Sequence, residues 1–480
     1  MLGVAMVVYI FAVFAISWWA RGQIHDAPDY LVAGRRLPLS LAWATLFATW
    51  FGAGTMLTAT DEVRAEGLQR AALDPFGAGA CLLLAGWFFA ARLWNMRLLT
   101  LGDFYRRRFG PRAEILFSVL MVPGYFGWIA AQFVALAGVL ELFFGLDPDL
   151  GILLVAAVGM GYTLMGGMWS VTLTDALQVV LVIVGLVALA TVALMELGAG
   201  SPAAGMSRLL AETPPEKLVL VPTDQLRSFL VWVGVFLAGA LGNLPGQDLM
   251  QRVFASKSAT VARRACLLGG AAYLLVGLLP LIIGLVGNLL APDETERAIL
   301  PFMAHLFLNP WLALIFLLAV MSAVLSTIDS AILAPAGVMA QNLLAHLPQR
   351  RFSMLGLNHI AVVFVTLCSL AFAYLGADAY SLLETAYEIG VVALLAPLAL
   401  GLYVRRGDER AALASMVTGT TLWLIHLALG WDFFLEPLGW PLPNGLTCSV
   451  ISLVTYLIGM KLSPPAGPAA EVAPEAAPAG

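Results

Sequence analysis

Charged residues are scarce in this sequence, and their scarcity excludes a soluble globular protein. Only 11% of the 480 residues are charged, whereas soluble domains carry about 25%. Hydrophobic residues make up 61%, and the mean hydropathy is +0.90. These values predict an all-α polytopic membrane protein whose surroundings are the lipid bilayer.

Cysteines are few, and the short motifs of enzyme chemistry are absent. The four cysteines lie in apolar runs without CxxC or cysteine–histidine spacing, so they predict neither disulfides nor a metal centre. The sequence has no Walker, HExxH or GxSxG-type pattern. We therefore expect no enzyme and no nucleic-acid partner, and no required protein partner is evident.

Long apolar runs predict about 13 transmembrane helices within a single domain at 1–462. The runs lie at 2–20, 39–60, 72–94, 113–141, 150–166, 172–197, 227–249, 265–290, 311–343, 357–375, 380–403, 411–430 and 444–461. The first run lacks a basic stretch and a small-residue cleavage pattern, so we expect a retained helix. The loop at 198–226 predicts a short surface helix around 203–211. Residues 463–480, rich in proline and alanine, predict a disordered cytoplasmic tail.

Basic residues are sorted between alternate loops. One set of loops carries 19 of the 25 basic residues, and the other set carries most of the loop acids. Because basic loops stay in the cytoplasm, this sorting predicts an N-terminus outside and a C-terminus inside. The expected location is the cell membrane.

A polar stretch interrupts the ninth run. Residues 323–330 read Ala-Val-Leu-Ser-Thr-Ile-Asp-Ser, with three hydroxyls and a carboxylate inside an apolar run. Ser326 and Thr327, one turn after Ala323, can offer oxygens to a small hard cation. The same hydroxyls can instead bond back to helix carbonyls and help helices pack. The stretch alone leaves both interpretations open.

Two further runs are broken by glycine and proline. Residues 48–55 read Ala-Thr-Trp-Phe-Gly-Ala-Gly-Thr, and residues 239–248 read Gly-Ala-Leu-Gly-Asn-Leu-Pro-Gly-Gln-Asp. The two runs are five apart, so they cross the membrane in opposite directions. Paired breaks of inverted topology are typical of transporter binding sites, where loosened carbonyls and amides hold an ion and a solute. Close helix packing would explain each break but not their pairing.

Four motifs in order resemble the sodium/solute symporter family, which includes sodium–glucose, sodium–proline and sodium–pantothenate carriers. The most specific is G-G-x-x-S-V-x-x-T-D-x-x-Q at 166–178, and the others lie at 97–110, 247–252 and 322–330. The resemblance covers about residues 30–410. It implies a LeuT-type core of five-plus-five inverted repeats at 39–197 and 227–403, with an extra helix at 2–20 and two helices at 411–461. It also implies sodium-coupled alternating access that imports a small solute.

The resemblance also implies a sodium site, and no other metal. Its ligands would be the carbonyls of Ala48, Phe51 and Ala323 and the hydroxyls of Ser326 and Thr327. Asp175, in the Thr-Asp pair of the motif, matches an acid that serves sodium binding or sodium exit.

Asp329, at the cytoplasmic third of its run, could aid ion release or only pair with a polar neighbour. Sodium–proline carriers have an aspartate shortly after the position matching Ala48, where this sequence has Thr49-Trp50. The polar set of the sugar carriers has no match either. A small amino acid or organic acid is therefore expected as solute rather than a sugar.

Candidate solute contacts flank the breaks or share helix faces with one another. They are Trp50, Thr55, Trp128, Gln132, Asn243, Tyr387 and Glu388, with Tyr125 and Glu384 on the same predicted faces. Glu388 could hold an amine or a coupled proton, or bond a neighbouring helix. Two other functions stay open: a proton-coupled carrier using Glu388 or Asp175, and a sensor that binds ligand without net flux.

Overall fold

The computed structural model describes residues 2–292, 298–346, 353–375, 379–439 and 442–463, in which every named element is helical. Beyond Ser463, the expected disordered tail lies outside these residues. The α-helices are α1 (Leu2–Arg21), α2 (Ala27–Val32), α3 (Leu39–Trp50), α4 (Ala59–Glu66), α5 (Ala78–Leu84), α6 (Ala90–Asn95), α7 (Leu101–Arg108), α8 (Pro111–Phe144), α9 (Pro148–Leu197), α10 (Pro202–Glu212), α11 (Leu226–Gly242), α12 (Gln247–Ala255), α13 (Ala259–Leu290), α14 (Ile299–Phe307), α15 (Pro310–Val338), α16 (Met354–Tyr374), α17 (Ala379–Ile389), α18 (Leu395–Tyr403), α19 (Glu409–Ala428) and α20 (Asn444–Leu462).

Wider helical turns join several of these helices into longer spans. The π-helical turns lie at Gly54–Thr58, Leu73–Gly77, Ala85–Phe89, Met339–Leu343 and Gly390–Leu394. Short 3₁₀ turns lie at Ala33–Arg35, Leu68–Ala72, Pro215–Leu218, Leu344–His346 and Glu436–Leu438. Single π-turns inside membrane helices often mark functional positions, because they locally disturb the regular hydrogen-bond ladder.

The all-α membrane fold is confirmed, because 11 helices of the described chain are long and apolar enough to cross a bilayer. The count of 13 spans and the orientation of the termini stay predictions. α3 has only 12 residues and ends at the first break. The predicted runs at 150–166 and 172–197 are continuous in α9, and α10 lies where a surface helix was expected.

α9 turns back on itself at Gly167, which has φ 49° and ψ −147°. A straight helix of its 50 residues would extend about 75 Å, more than twice the hydrocarbon core. Beyond the break, Asp175 bonds Ser326 and Gly185 packs on Ala319, so the chain moves back along α15. This reversal lets both halves of α9 pack against the central helix.

α15 lies at the centre of the molecule. Every residue from Ala319 to Val338 is buried, and α15 packs against α8, α9 and α16. The polar stretch at 323–330 therefore faces protein instead of lipid, as intramembrane polar groups require.

Candidate functional site

The first break separates α3 from the π-turn at Gly54–Thr58. Phe51 leaves helical geometry with ψ 61°. The backbone N–H of Ala53, freed by the break, donates to Gln132 Oε1 at 2.8 Å. Gly52 lies so close to α15 that a Cβ at this position would collide with Thr327 Oγ1. The break is thus pressed directly against the polar stretch of α15.

The predicted sodium ligands belong to the two segments that meet at this contact. Ala48 and Phe51 belong to the first break, and all five predicted ligands are buried. Thr327 Oγ1 donates to the carbonyl of Ala323 at 3.1 Å, which is the bond that a packing role would also give. Ser326 behaves differently, because its hydroxyl donates away from its own helix.

Asp175 lies beside the predicted sodium ligands. Its two carboxylate oxygens accept hydrogen bonds from Ser326 Oγ and Thr45 Oγ1, each at 2.5 Å. Asp175 and its partners are fully buried. The structure therefore brings the predicted second ion group next to the predicted first ion site, with Ser326 shared between them.

Asp329 lies in a second buried network that contains Arg252. Ser330 Oγ donates to Asp329 Oδ1 at 3.0 Å, and Arg252 Nη2 donates to Ser330 Oγ. Arg252 Nη1 also donates to the carbonyl of Asp248 at 3.0 Å. Asp329 Oδ2 and Arg252 Nε have no hydrogen-bond partner among the described residues. This network links the polar stretch of α15 to α12.

The second break separates α11 from α12 and carries Asp248 in the first turn of α12. Trp50 Nε1 donates to Asp248 Oδ2, and the Tyr125 hydroxyl donates to Asp248 Oδ1 at 2.5 Å. Asp248 is 1% exposed. A carboxylate of the second break thus holds an indole of the first break, so the two breaks are joined by one hydrogen-bonded contact.

A small aromatic cleft of about 30 Å³ lies next to this contact. The Tyr125 and Trp128 rings, 5.7 Å apart between centroids, form one wall. Its lining residues are Met121, Gly124, Tyr125, Trp128, Gly242, Asn243, Pro245, Gly246, Ala386, Tyr387, Ile389, Gly390 and Leu394. None of these described lining residues is charged, and Asp248 lies directly behind Tyr125 and Gly246.

The structure separates the predicted solute contacts into three groups. Trp128, Asn243 and Tyr387 line the cleft, and Trp50 bonds Asp248 beside it. Gln132 and Thr55 instead hold the first break, through Ala53 and Asp74 respectively.

Glu388 lies apart from the cleft. Its Oε2 accepts a hydrogen bond from Trp423 Nε1 of α19 at 2.7 Å, and its carboxylate packs on Gly445 of α20. This is the helix-bonding geometry that the sequence left open as one of its alternatives.

Two buried carboxylates at the site were missed from the sequence. Asp248 was read only as part of a motif, and Asp74 was not considered. Both lie inside predicted spans, and an acid within a span is by itself a signal of function. That signal alone would have added both residues to the candidates.

Known proteins resemble this chain over most of its length. Residues 30–419 match the sodium:solute symporter family model. The human (Homo sapiens) high affinity choline transporter 1 is 26% identical over 442 residues, covering 87% of this chain and 75% of that protein. The sheep (Ovis aries) sodium/glucose cotransporter 1 is 26% identical over 326 residues, covering 61% of this chain and 48% of that protein.

Solved structures show the same fold. A substrate-bound, outward-open Na⁺-coupled sialic acid symporter superposes with a TM-score of 0.81 at 19% identity, covering 97% of this chain and 98% of that chain. Mhp1, a nucleobase-cation-symport-1 family transporter, gives a TM-score of 0.60 at 16% identity, covering 92% of this chain and 96% of that chain. The LeuT-type fold is thereby confirmed, and these relatives are transporters, not enzymes. The chain belongs to the sodium:solute symporter family.

Proposed function

We propose that this chain is a sodium-coupled symporter that imports a small organic cation by alternating access. The single observation that carries the solute class is Asp248, a buried carboxylate behind an aromatic cleft whose described lining has no basic residue. The proposal places the solute in the cleft and sodium against α15.

The aromatic wall supports a cationic solute. Ammonium groups are attracted to the faces of tryptophan and tyrosine rings, and aromatic cages commonly bind quaternary ammonium compounds. Tyr125, Trp128 and Tyr387 supply such rings around one cleft. Asp248 adds a negative charge behind them, and its bonds to Tyr125 and Trp50 fix both side chains.

An organic acid fits this cleft poorly. The sequence led us to expect an amino acid or organic acid, but a carboxylate in the cleft would lie near Asp248 with no basic lining residue to bind it. Like charges brought together in a site of low dielectric repel each other strongly. The choline transporters among the relatives support a solute whose only charge is an ammonium group.

Sodium would bind between the first break and α15 in this proposal. The carbonyls of Ala48, Phe51 and Ala323 and the hydroxyls of Ser326 and Thr327 supply neutral oxygens, which suit a monovalent ion that must leave again. Asp175, bonded to Ser326, would receive the ion on its way out.

Uptake into proteoliposomes tests this function. We expect an inward sodium gradient to drive uptake of choline, and a proton gradient or an equal potassium gradient to drive none. The comparison solutes are proline, succinate and glucose. Sodium-driven uptake of succinate, proton-driven uptake of choline, or choline binding without uptake would each contradict the proposal.

A further inference from the structure

Asp74 places a carboxylate in the first third of a broken membrane helix. It lies in the π-turn Leu73–Gly77 and has the extended geometry φ −146°, ψ 127°, which interrupts the helical span Leu68–Asn95. Its side chain points into protein, since the residue is only 7% exposed. Neither the predicted sodium site nor the cleft uses this carboxylate.

Oxygen atoms of three other residues gather at the Asp74 carboxylate. Thr55 Oγ1 donates to Asp74 Oδ1 at 2.9 Å, and the Tyr273 hydroxyl lies 3.0 and 3.2 Å from the two carboxylate oxygens. The same Tyr273 hydroxyl lies 3.0 Å from the carbonyl of Trp50 and also contacts Thr55 Oγ1. Five oxygens therefore meet at one point.

This oxygen cluster has fewer donor protons than acceptor oxygens. Thr55 and Tyr273 carry one hydroxyl proton each, and the backbone N–H of Gly52 donates to the Trp50 carbonyl at 2.8 Å, so three protons serve the five oxygens. Tyr273 can donate to Asp74 or to the Trp50 carbonyl, but not fully to both. The Asp74 carboxylate therefore keeps lone pairs that a cation can use.

Asp74 has no cationic partner among the described residues. Its side-chain hydrogen bonds come from hydroxyl groups, and no arginine, lysine or histidine of the described chain forms an ion pair with it. Asp329, in contrast, shares Ser330 with Arg252. A buried carboxylate without a compensating cation is costly within a membrane.

We propose that Asp74, Thr55, Tyr273 and the carbonyl of Trp50 form a binding site for a second sodium ion. An all-oxygen set with one carboxylate is the type of site that hard cations take. This inference rests on the proposed sodium coupling. It adds an ion that neither the motif resemblance nor Asp175 supplies.

The site lies on the opposite side of the first break from α15. Trp50 and Thr55 flank the break, and Gly52 between them contacts Thr327. An ion held by Asp74 would fix the Trp50 carbonyl, while the Trp50 indole bonds Asp248 beside the cleft. Binding at Asp74 would therefore order the same residue that contacts the solute region, which couples the second ion to solute binding.

Saturation binding of ²²Na⁺ to the purified full-length protein tests the proposal. We expect two sodium ions per chain in the wild type and one in Asp74→Asn. Ser326→Ala should keep both ions but weaken one binding step about 5- to 150-fold, and the double variant should bind one ion with that weakened affinity. Glu388→Gln, which alters a partly buried carboxylate outside both sites, is the matched control and should bind two.

A second pair of variants keeps the test decisive if Asp74→Asn does not fold. Thr55→Val and Tyr273→Phe each remove one oxygen, and each should weaken one of the two sodium-binding steps by at least about 5-fold. Two ions in Asp74→Asn, or two unchanged steps in both hydroxyl variants, would overturn the inference.

Other outcomes separate this inference from the proposed function. One ion in the wild type, bound more weakly in Ser326→Ala and unchanged in Asp74→Asn, overturns the second site and leaves sodium coupling intact. If Asp74→Asn leaves sodium binding unchanged but removes the pH dependence of uptake, Asp74 binds a proton and not sodium. This result would also overturn the second sodium site. A wild type that binds no sodium contradicts the proposed function itself.

Discussion

The first helix break faces the hydroxyls of α15, whereas the second break carries a carboxylate and faces aromatic rings. Neutral oxygens hold a small ion loosely enough to release it, while rings backed by Asp248 suit a larger cation. The two regions meet at the bond between the Trp50 indole and Asp248. In the proposed function these similar glycine-rich interruptions would serve different ligands, because the neighbouring helix decides which groups complete each site.

Removing the charge of the second break should have the largest effect. Asp248→Asn keeps the side-chain shape but removes the attraction for an ammonium group, which for unit charges about 6 Å apart at a dielectric of about 20 is roughly 3 kcal/mol. We expect choline affinity to fall by about 100-fold, measured as equilibrium binding at saturating sodium. Wild-type choline affinity in this variant would show that the ammonium group does not bind near the second break.

Removing one hydroxyl at the first break should have the next largest effect. Ser326→Ala and Thr327→Ala each take one of about five ligand oxygens, at a cost of roughly 1–3 kcal/mol. The sodium concentration for half-maximal uptake should rise about 5- to 150-fold. If sodium dependence is unchanged in both variants, the hydroxyls only help the helices pack.

Replacing a ring of the cleft should have a smaller and more selective effect. Trp128→Leu keeps an apolar side chain but loses the ring face, which is worth about 0.5–2 kcal/mol to a cation. Choline binding should weaken about 2- to 30-fold, whereas 3,3-dimethyl-1-butanol, its uncharged isostere, should show little change in its own affinity. Equal losses of affinity for both compounds would indicate that Trp128 contributes shape complementarity and no attraction for the charge.

Glu388 lies outside both regions and should have the smallest effect on binding. In Glu388→Gln an amide oxygen can still accept from Trp423 Nε1, so sodium and choline affinities should stay within about 2-fold of wild type. Glu388→Ala leaves that indole unpaired, which costs roughly 1–3 kcal/mol of stability and should lower the melting temperature. A clear loss of choline affinity in Glu388→Gln would show that Glu388 contributes to solute binding.

The sequence predicts the helix breaks and the buried polar stretch of α15 better than it predicts which way side chains face. Glycine and proline mark 48–55 and 239–248, and hydroxyls in an apolar run mark Ser326 and Thr327. Tyr387 and Glu388, in contrast, were assigned to one face, although adjacent helical residues point about 100° apart. The structure directs Tyr387 to the cleft and Glu388 to α19.

The missed carboxylates have a related cause. The oxygens that meet at Asp74 come from Trp50, Thr55 and Tyr273, the last of which is 199 residues away from Asp74 in the chain. No local sequence pattern predicts this cluster, because it depends on how α13 packs against the first break. The same holds for Asp248, whose partners Trp50 and Tyr125 lie on two other helices.

The central claim is that the first break binds sodium and the second break binds the solute. The most direct test measures sodium and choline binding separately in Ser326→Ala and Asp248→Asn. The account predicts that Ser326→Ala weakens sodium binding in the absence of choline. Asp248→Asn should leave that binding within about 2-fold while it weakens choline binding at saturating sodium. Loss of choline-free sodium binding in Asp248→Asn comparable to that in Ser326→Ala would contradict the account.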